Sequence, residues 1–157
     1  RYSQLWDIKL VLNLFESWQD NTFLSRKELS GKLAMLLCLI SCKRVSDVRA
    51  LDVSSRMFAA DGITFMVSWN TKTSTRTINY LSFPDHPKLC VIRCLQAHET
   101  LTEEVRPAGT KQLLIALKKP FKPVSSPTIA WWVRWVMAEA DIDNTLLEEL
   151  WSLRHFQ

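Results

Sequence analysis

Apolar residues at the start of the chain recur every three or four positions, which is the spacing of one face of an α-helix. Within residues 2–18 these positions are Leu5, Ile8, Leu12 and Phe15. The pattern predicts a first helix over 2–18, followed by a turn at Asp20, Asn21 and Thr22.

A capping signal marks the start of the next helix. Ser25 and Glu28 stand three positions apart, as in capping boxes, where the two side chains bind the first free amides of a helix. The apolar run that follows predicts a helix to about Ser41, and residues 45–51 predict a short third helix.

The pattern changes after the third helix. Residues 62–69 and 75–83 are rich in β-branched and aromatic residues, and they predict a β-hairpin. Asp61 and Gly62 predict a turn that connects an earlier strand near 57–60 to this hairpin.

Helical spacing returns after the hairpin. Residues 89–101 predict a helix, whereas 112–117 fit either a strand or a buried turn of helix. Residues 118–123 are predicted to be a loop, because their two prolines have no amide donors.

A second capping signal follows this loop. Ser125 suits the cap position, and Pro127 in the first turn has the backbone angle of a helix. A helix is therefore predicted from Ser125 and Ser126 to about Ala140, with another beginning near Asn144.

The order of helices, small antiparallel sheet and further helices predicts an α+β fold that is mainly α, a helical bundle with a small sheet or hairpin. A length of 157 residues fits one domain over 1–157. The chain begins with Arg1 rather than Met, so we expect it to be a fragment. Its longest apolar stretch, 33–40, is too short to cross a bilayer.

The distribution of charge suggests an anionic partner. The net charge is +4 and the isoelectric point is about 9.0. Residues 105–134 contain six basic residues and no acid, whereas 135–153 contain five acids and no base. This asymmetry favours a basic face of the kind that nucleic-acid-binding proteins have. The alternative is a set of solvated lysines around loops.

The four cysteines form two pairs of identical spacing, Cys38 with Cys42 and Cys90 with Cys94. Two such pairs on helices are one possible zinc site, but their apolar neighbours favour core packing. We therefore expect reduced thiols in an intracellular protein, with neither a metal nor a cofactor.

Four segments of the chain resemble the catalytic domain of tyrosine recombinases, and within that family the type found in DIRS and Ngaro retrotransposons. The segments are RYSQLWDIKLVLNLF, LSGKLAMLLCLISCKRVSDVRALDV, FPDHPKLCVIRCL and KPFKPVSSPTIAWWVRWVMAEADID. The resemblance covers nearly the whole chain and keeps the order of the family's segments. It implies a single catalytic domain that is incomplete at its C-terminal end.

The resemblance implies a role for the arginine that follows the second helix. At this position the family binds the scissile DNA phosphate, and here the residue is Arg44. A guanidinium suits that role because it offers two parallel donors to a phosphate on which charge accumulates. Asp47 stands at the family's acidic position and would orient the site. The alternative is a surface ion pair between Arg44 and Asp47.

Two further catalytic positions follow from the resemblance. Lys72 matches the family's hairpin lysine, the general acid on the leaving oxygen, with Arg76 as the second candidate and a solvated turn lysine as the alternative. Arg154 would be the second phosphate-binding arginine, or else a surface residue. Trp151 then stands where the family has a histidine, and an indole cannot shuttle a proton at neutral pH. His155 lies on another helix face and does not replace it.

The family's nucleophilic tyrosine lies beyond the second arginine, and the sequence ends at Gln157. The chain contains only Tyr2, which opens the first helix, and Tyr80, which is expected to pack in a strand. We therefore expect this chain not to cleave DNA by itself.

Other residues are expected to contact the DNA backbone without taking part in catalysis. They are Lys43, Arg76, Lys118, Lys119, Lys122 and the helix start at Ser125 and Ser126. Lysines bind phosphates through their charge, and a helix start binds them through its free amides. Solvated loop lysines are the alternative.

Three tryptophans lie close together on the helix predicted from Ser125 and Ser126 to about Ala140. Trp132 is expected to pack in the core, whereas Trp131 and Trp135 share a face that favours a protein interface over base stacking. The family assembles on DNA as a tetramer, so self-association is expected as well.

The predicted function is that of a DNA-binding recombinase or integrase-like domain for strand cleavage and rejoining in transposon integration, inactive in this chain. The alternative is a non-catalytic, domesticated module that binds DNA or protein, and a purely structural helical domain is a third possibility. The expected partner is duplex DNA, with no membrane, and the expected location is the nucleus.

Overall fold

The computed structural model describes residues 8–41, 44–68 and 75–141, and for 41, 68, 75 and 76 it describes the backbone alone. Five α-helices and a three-stranded sheet occur in these ranges. The helices are α1 (Ile8–Ser17), α2 (Arg26–Ser41), α3 (Val45–Arg49), α4 (Val91–Thr102) and α5 (Ser126–Glu139), and the strands are β1 (Met57–Ala59), β2 (Gly62–Ser68) and β3 (Thr75–Leu81). The predicted α+β, mainly α fold class is confirmed, whereas the single domain over 1–157 stays a prediction.

Helix α2 is the centre of the fold. Every residue from 29 to 38 is buried, and α3, α4 and α5 pack against the helix. Gly31 allows the close approach of α5, because a Cβ atom there would lie 3.0 Å from the Trp135 ring. A helix buried on all sides holds its two ends in fixed positions relative to the rest of the molecule.

Both predicted helix starts are confirmed. The Ser25 amide donates to Oε1 of Glu28 at 2.9 Å, and the Glu28 amide donates to Oγ of Ser25 at 3.2 Å. At α5 the Thr128 amide donates to Oγ of Ser125 at 3.4 Å. These local side-chain contacts were readable from the sequence because they span only three residues.

The predicted hairpin and the earlier strand are also confirmed. The sheet is antiparallel in the order β1-β2-β3, and its β2–β3 register runs from Gly62 opposite Leu81 to Ser68 opposite Thr75. One face of the sheet lies against the core, where Phe65 is fully buried and Tyr80 is 1% exposed. The expectation that Tyr80 packs in a strand is therefore confirmed.

Two expectations need correction. On α1 the buried positions are Val11 and Phe15, whereas Ile8 is 44% exposed, so the face that packs inwards is rotated from the predicted one. Segment 112–117 is neither helix nor continuous strand. It forms isolated bridges at Gln112 and Ile115. Backbone contacts with distant segments stabilise it, and its own sequence pattern does not show them.

A buried cation lies in the middle of α2. Lys32 is completely buried, and its Nζ donates to Oδ1 of Asn21 at 2.7 Å. The same Nζ lies 5.6 Å from the centroid of the Phe15 ring. Burial lowers the pKa of Lys32. Asn21 was predicted to lie in a turn, and its side chain also supplies the oxygen that satisfies this lysine.

Of the described cysteines, Cys38, Cys90 and Cys94 are buried, as core packing predicts. In the described part of the chain no group of three potential ligands is suited to hold a metal ion. None of the helices within the described ranges has the length and apolarity needed to cross a membrane.

Candidate nucleic-acid interface

Arg44 lies in the extended backbone that immediately precedes α3. Its amide donates to Oδ2 of Asp47 at 3.1 Å, and its carbonyl accepts from the Asp47 amide at 3.0 Å. The Arg44 side chain is exposed, whereas Asp47 is 5% exposed. Asp47 therefore holds the backbone from which the guanidinium projects.

The buried start of α3 fixes the position of Arg44 on its C-terminal side. The last buried turn of α2 ends at Cys38, and Val45 and Val48 of α3 are each 1% exposed. Helix α3 packs against both α2 and α5. An exposed arginine between two packed helices has a defined origin, which a phosphate-binding group needs.

Several other positions discussed from the sequence lie outside the described residues. This applies to Lys43, Lys72, Trp151, Arg154 and His155. Arg76 belongs to β3 and pairs with Val67, but its side chain is not described. The structure thus brings Arg44 and Asp47 together and leaves the roles of the others as predictions.

The loop between 118 and 123 presents its predicted basic side chains to solvent. Lys118, Lys119 and Lys122 are all exposed. The Ala116 amide donates to the Lys122 carbonyl at 2.7 Å, and the Phe121 amide donates to the Lys118 carbonyl at 2.9 Å. The lysines are therefore carried by an ordered turn, and their charges are free to contact an anion.

The start of α5 lies directly after this loop. Ser125 caps the helix and Ser126 is its first residue, half-buried. Because Oγ of Ser125 already accepts from the Thr128 amide, that amide is not available to a phosphate. The phosphate ligands expected here are thus the loop lysines more than the helix start.

The Arg44 site and the loop lysines lie at opposite ends of α2. The Arg26 guanidinium is 5.4 Å from the centroid of the Phe121 ring, which places the loop beside the first turn of α2. Arg44 follows the last turn. The helix has 16 residues, a length of about 24 Å. Among the described residues, the predicted DNA contacts therefore fall into two separate regions.

Two arginines, Arg106 and Arg56, make contacts within the protein. Arg106, counted in the basic block, donates from Nη1 to the Gln112 carbonyl at 2.7 Å and from Nη2 to the Leu113 carbonyl at 2.8 Å. Arg56 forms an ion pair with Glu99. The basic block is therefore a less uniform surface than its sequence suggests.

The tryptophans of α5 have different environments. Trp132 is 2% exposed, which confirms its core position, whereas Trp131 is 50% exposed. Trp135 packs against Trp18 with ring centroids 6.2 Å apart. Lys27 lies over both outer rings, with Nζ 4.6 Å from the centroid of Trp135 and 5.6 Å from that of Trp131. Sequence reasoning missed Lys27 and Arg26, since no local signal links them to residues about a hundred positions away.

No protein-family model and no curated protein matches the chain. Among solved structures it is similar to XerH site-specific recombinase bound to difH substrate in a pre-cleavage complex, with a TM-score of 0.65 and 9% identity over 87% of this chain and 36% of that one. A post-cleavage complex of XerH with palindromic difH substrate gives a TM-score of 0.64 and 10% identity over 87% and 35%.

These similarities establish the fold. The chain has the tyrosine-recombinase-like fold, as the sequence resemblance implied, and it spans about a third of the length of the XerH chains that it matches. At 9–10% identity the similarity does not extend to the DIRS and Ngaro type or to the roles of single residues.

Proposed function

We propose that this chain is a recombinase-type DNA-binding domain that holds duplex DNA with Arg44 on a backbone phosphate. The observation that carries the proposal is the geometry of Arg44: an exposed guanidinium at a fixed backbone position, at the end of the buried α2, in a tyrosine-recombinase-like fold. The two XerH structures similar to this chain are complexes with their substrate.

The chemistry of strand exchange explains why such an arginine is useful. A phosphodiester under attack gains negative charge on its non-bridging oxygens, and a guanidinium can donate two parallel hydrogen bonds to them. The contact of Asp47 with the Arg44 amide lets the backbone stay in place while the charged group remains free. In the proposal Lys72 is the general acid and Arg154 the second phosphate ligand, on the strength of the sequence resemblance alone.

We further propose that these 157 residues bind DNA without cleaving it. The two tyrosines of the sequence are Tyr2 and Tyr80. Tyr80 is 1% exposed, so its hydroxyl does not reach a phosphodiester, and Tyr2 lies outside the described residues. Incubation with a nicked suicide duplex should give no protein–DNA species that survives denaturation. A denaturation-resistant band would contradict this assignment.

The biological setting proposed is transposon integration of the DIRS or Ngaro type in the nucleus, supported by the four sequence segments.

Self-association is proposed through an open apolar groove of about 370 Å³. Within the described residues nothing covers this groove, and its lining residues Ile40 and Leu81 are 44% and 63% exposed. A monomer at all concentrations in analytical ultracentrifugation would argue against it.

A second candidate function is a domesticated, non-catalytic interaction module. The half-exposed Trp131 favours it, because large exposed aromatic side chains are typical of binding surfaces.

The test of the proposed function is duplex-DNA binding by fluorescence anisotropy over a salt series. We expect Arg44→Ala to weaken binding about tenfold and to reduce the salt dependence by about one phosphate contact. Arg93→Ala is the matched control, because Arg93 is an exposed arginine on the outer side of α4. Equal effects of the two substitutions, or no binding by the unmodified chain at low salt, would contradict the proposal.

A further inference from the structure

Cations and aromatic rings alternate at the N-terminal end of α2. We use the name aromatic–basic face for Arg26, Lys27, Phe121, Trp131 and Trp135. Arg26 lies over Phe121, and Lys27 lies over Trp131 and Trp135. The face thus combines three segments of the chain, the start of α2, the 118–123 loop and the outer side of α5.

Trp131 is the part of this face that is open to a ligand. Its side chain is 50% exposed although Lys27 lies over its ring. Trp135 is more enclosed, because it also packs against Trp18. A half-exposed indole beside a cation offers a flat apolar surface next to positive charge.

The charges around the face favour an anionic partner. Lys118, Lys119 and Lys122 are exposed on the loop that carries Phe121. Residues 105–134 contain no acid, and the carboxylate of Glu28 accepts from the Ser25 amide. A partner with negative charge close to its apolar contact surface therefore fits this face.

We propose that the aromatic–basic face binds single-stranded nucleic acid, with an unpaired base stacked on Trp131 and the backbone phosphates on Lys27 and the loop lysines. A base can stack on an indole only when its own face is uncovered, which excludes the bases inside a duplex. Alternating aromatic and cationic groups are how proteins bind single strands without reading their sequence. The proposal goes beyond the duplex contact at Arg44, since the two regions lie at opposite ends of α2.

The two regions together can hold a junction. A duplex bound at Arg44 and a single strand bound at Trp131 would be separated by about 24 Å, the length of α2. A nucleic acid with both a paired and an unpaired part can therefore occupy both regions at once.

The first experiment measures the binding of labelled oligothymidylate of about fifteen nucleotides by fluorescence anisotropy at low salt. We expect Trp131→Ala to weaken binding about tenfold, because one stacked base is lost, and Trp131→Phe to retain most of the affinity. Phe58→Ala is the matched control. Phe58 is an aromatic residue with 58% exposure, and the Arg56 guanidinium lies 5.2 Å from its ring centroid.

A second oligonucleotide isolates the stacking contact. On an abasic strand of equal length the phosphates remain and the bases are absent, so Trp131→Ala should have almost no effect, whereas Lys27→Met should still weaken binding.

Binding of a blunt-ended duplex distinguishes this proposal from the proposed function. We expect Arg44→Ala to weaken duplex binding and leave oligothymidylate binding unchanged, and Trp131→Ala to do the reverse.

Three results would overturn the proposal. Absence of oligothymidylate binding at low salt would do so even if duplex binding is intact. Equal losses for Trp131→Ala on the normal and the abasic strand would show that no base stacks there. If Trp131→Ala leaves single-strand binding unchanged but shifts the protein from dimer to monomer in ultracentrifugation, Trp131 belongs to a protein interface instead.

Discussion

The two ends of α2 hold their cations in different ways. At the C-terminal end the Asp47 carboxylate accepts from the Arg44 amide, so the main chain is fixed and the guanidinium stays exposed. At the N-terminal end the side chains themselves are held, with Arg26 over Phe121 and Lys27 between two tryptophans. The first arrangement leaves a charge free for a phosphate, whereas the second places charge beside an aromatic surface.

Two buried ionisable side chains, Lys32 and His98, lie between the two ends. The first has a hydrogen-bond partner, and burial favours the neutral form of the second. Lys32 has the Asn21 amide oxygen and the Phe15 ring. His98 of α4 is 1% exposed, and among the described residues neither of its ring nitrogens has a hydrogen-bond partner. Burial lowers the pKa of His98 to about 4, with the charge of Arg106 contributing. Disturbing this middle region should affect both ends, whereas disturbing one end should leave the other intact.

The largest expected effect on the free energy of unfolding comes from lowering the pH. Because the folded pKa of His98 lies below its ordinary value of about 6.5, the neutral form stabilises the fold. Its contribution is complete above pH 6.5 and is lost as the pH falls from 6.5 to about 4, to a limit of about 3 kcal/mol. Urea unfolding at a series of pH values measures this loss.

His98→Gln is the control for the acid effect, because glutamine does not titrate. The variant should show a flatter dependence of stability on pH over the same range. If its pH dependence equals that of the unmodified chain, His98 is not the group responsible. Duplex and single-strand binding should be lost together as the chain unfolds in acid.

Alanine substitutions at Lys32 and Lys27 of α2 should lower the free energy of unfolding by less than acid does, and by different amounts. Lys32→Ala removes a buried stem and leaves Asn21 without its donor, so the free energy of unfolding should fall by about 2 kcal/mol. Lys27→Ala should cost under about 1 kcal/mol, since its contacts with the rings are at the surface. Equal losses in chemical denaturation would remove the distinction between the middle and the end of the helix.

Sequence patterns predicted the local parts of this molecule and few of the long-range ones. The capping box at Ser25, the hairpin and the position of Arg44 after a buried helix were readable because each depends on neighbouring residues. The burial of Lys32 was not, because it depends on Asn21 and Phe15, which belong to other segments. The same holds for Arg106, which the charge pattern placed on the surface and which binds two backbone carbonyls.

In the candidate site, too, local contacts could be predicted from the sequence and long-range contacts could not. The recombinase-like segments pointed to the residues after α2, where the structure has an exposed Arg44 whose amide donates to Asp47. The aromatic–basic face was invisible as a unit, because Lys27 and Trp131 are separated by about a hundred residues and meet only through the packing of α2 on α5.

The smallest expected effect tests the C-terminal end alone. Asp47→Ala removes the acceptor of the Arg44 amide, which should lower the free energy of unfolding by about 1 kcal/mol, the usual cost of a lost cap. Duplex binding should weaken as well, because the backbone that carries the guanidinium is released. Asp47→Asn keeps an acceptor oxygen at this position, so its duplex affinity should lie between those of Asp47→Ala and the unmodified chain.

Binding of oligothymidylate separates a local effect of Asp47 from a general loss of structure. If Asp47 acts by holding Arg44, Asp47→Ala leaves single-strand binding unchanged, because Lys27 and Trp131 lie at the other end of a helix that stays packed. If duplex and single-strand binding fall by the same factor, the two ends of α2 are coupled through the fold. The distinction between a backbone-held and a ring-held cation would then have no functional consequence.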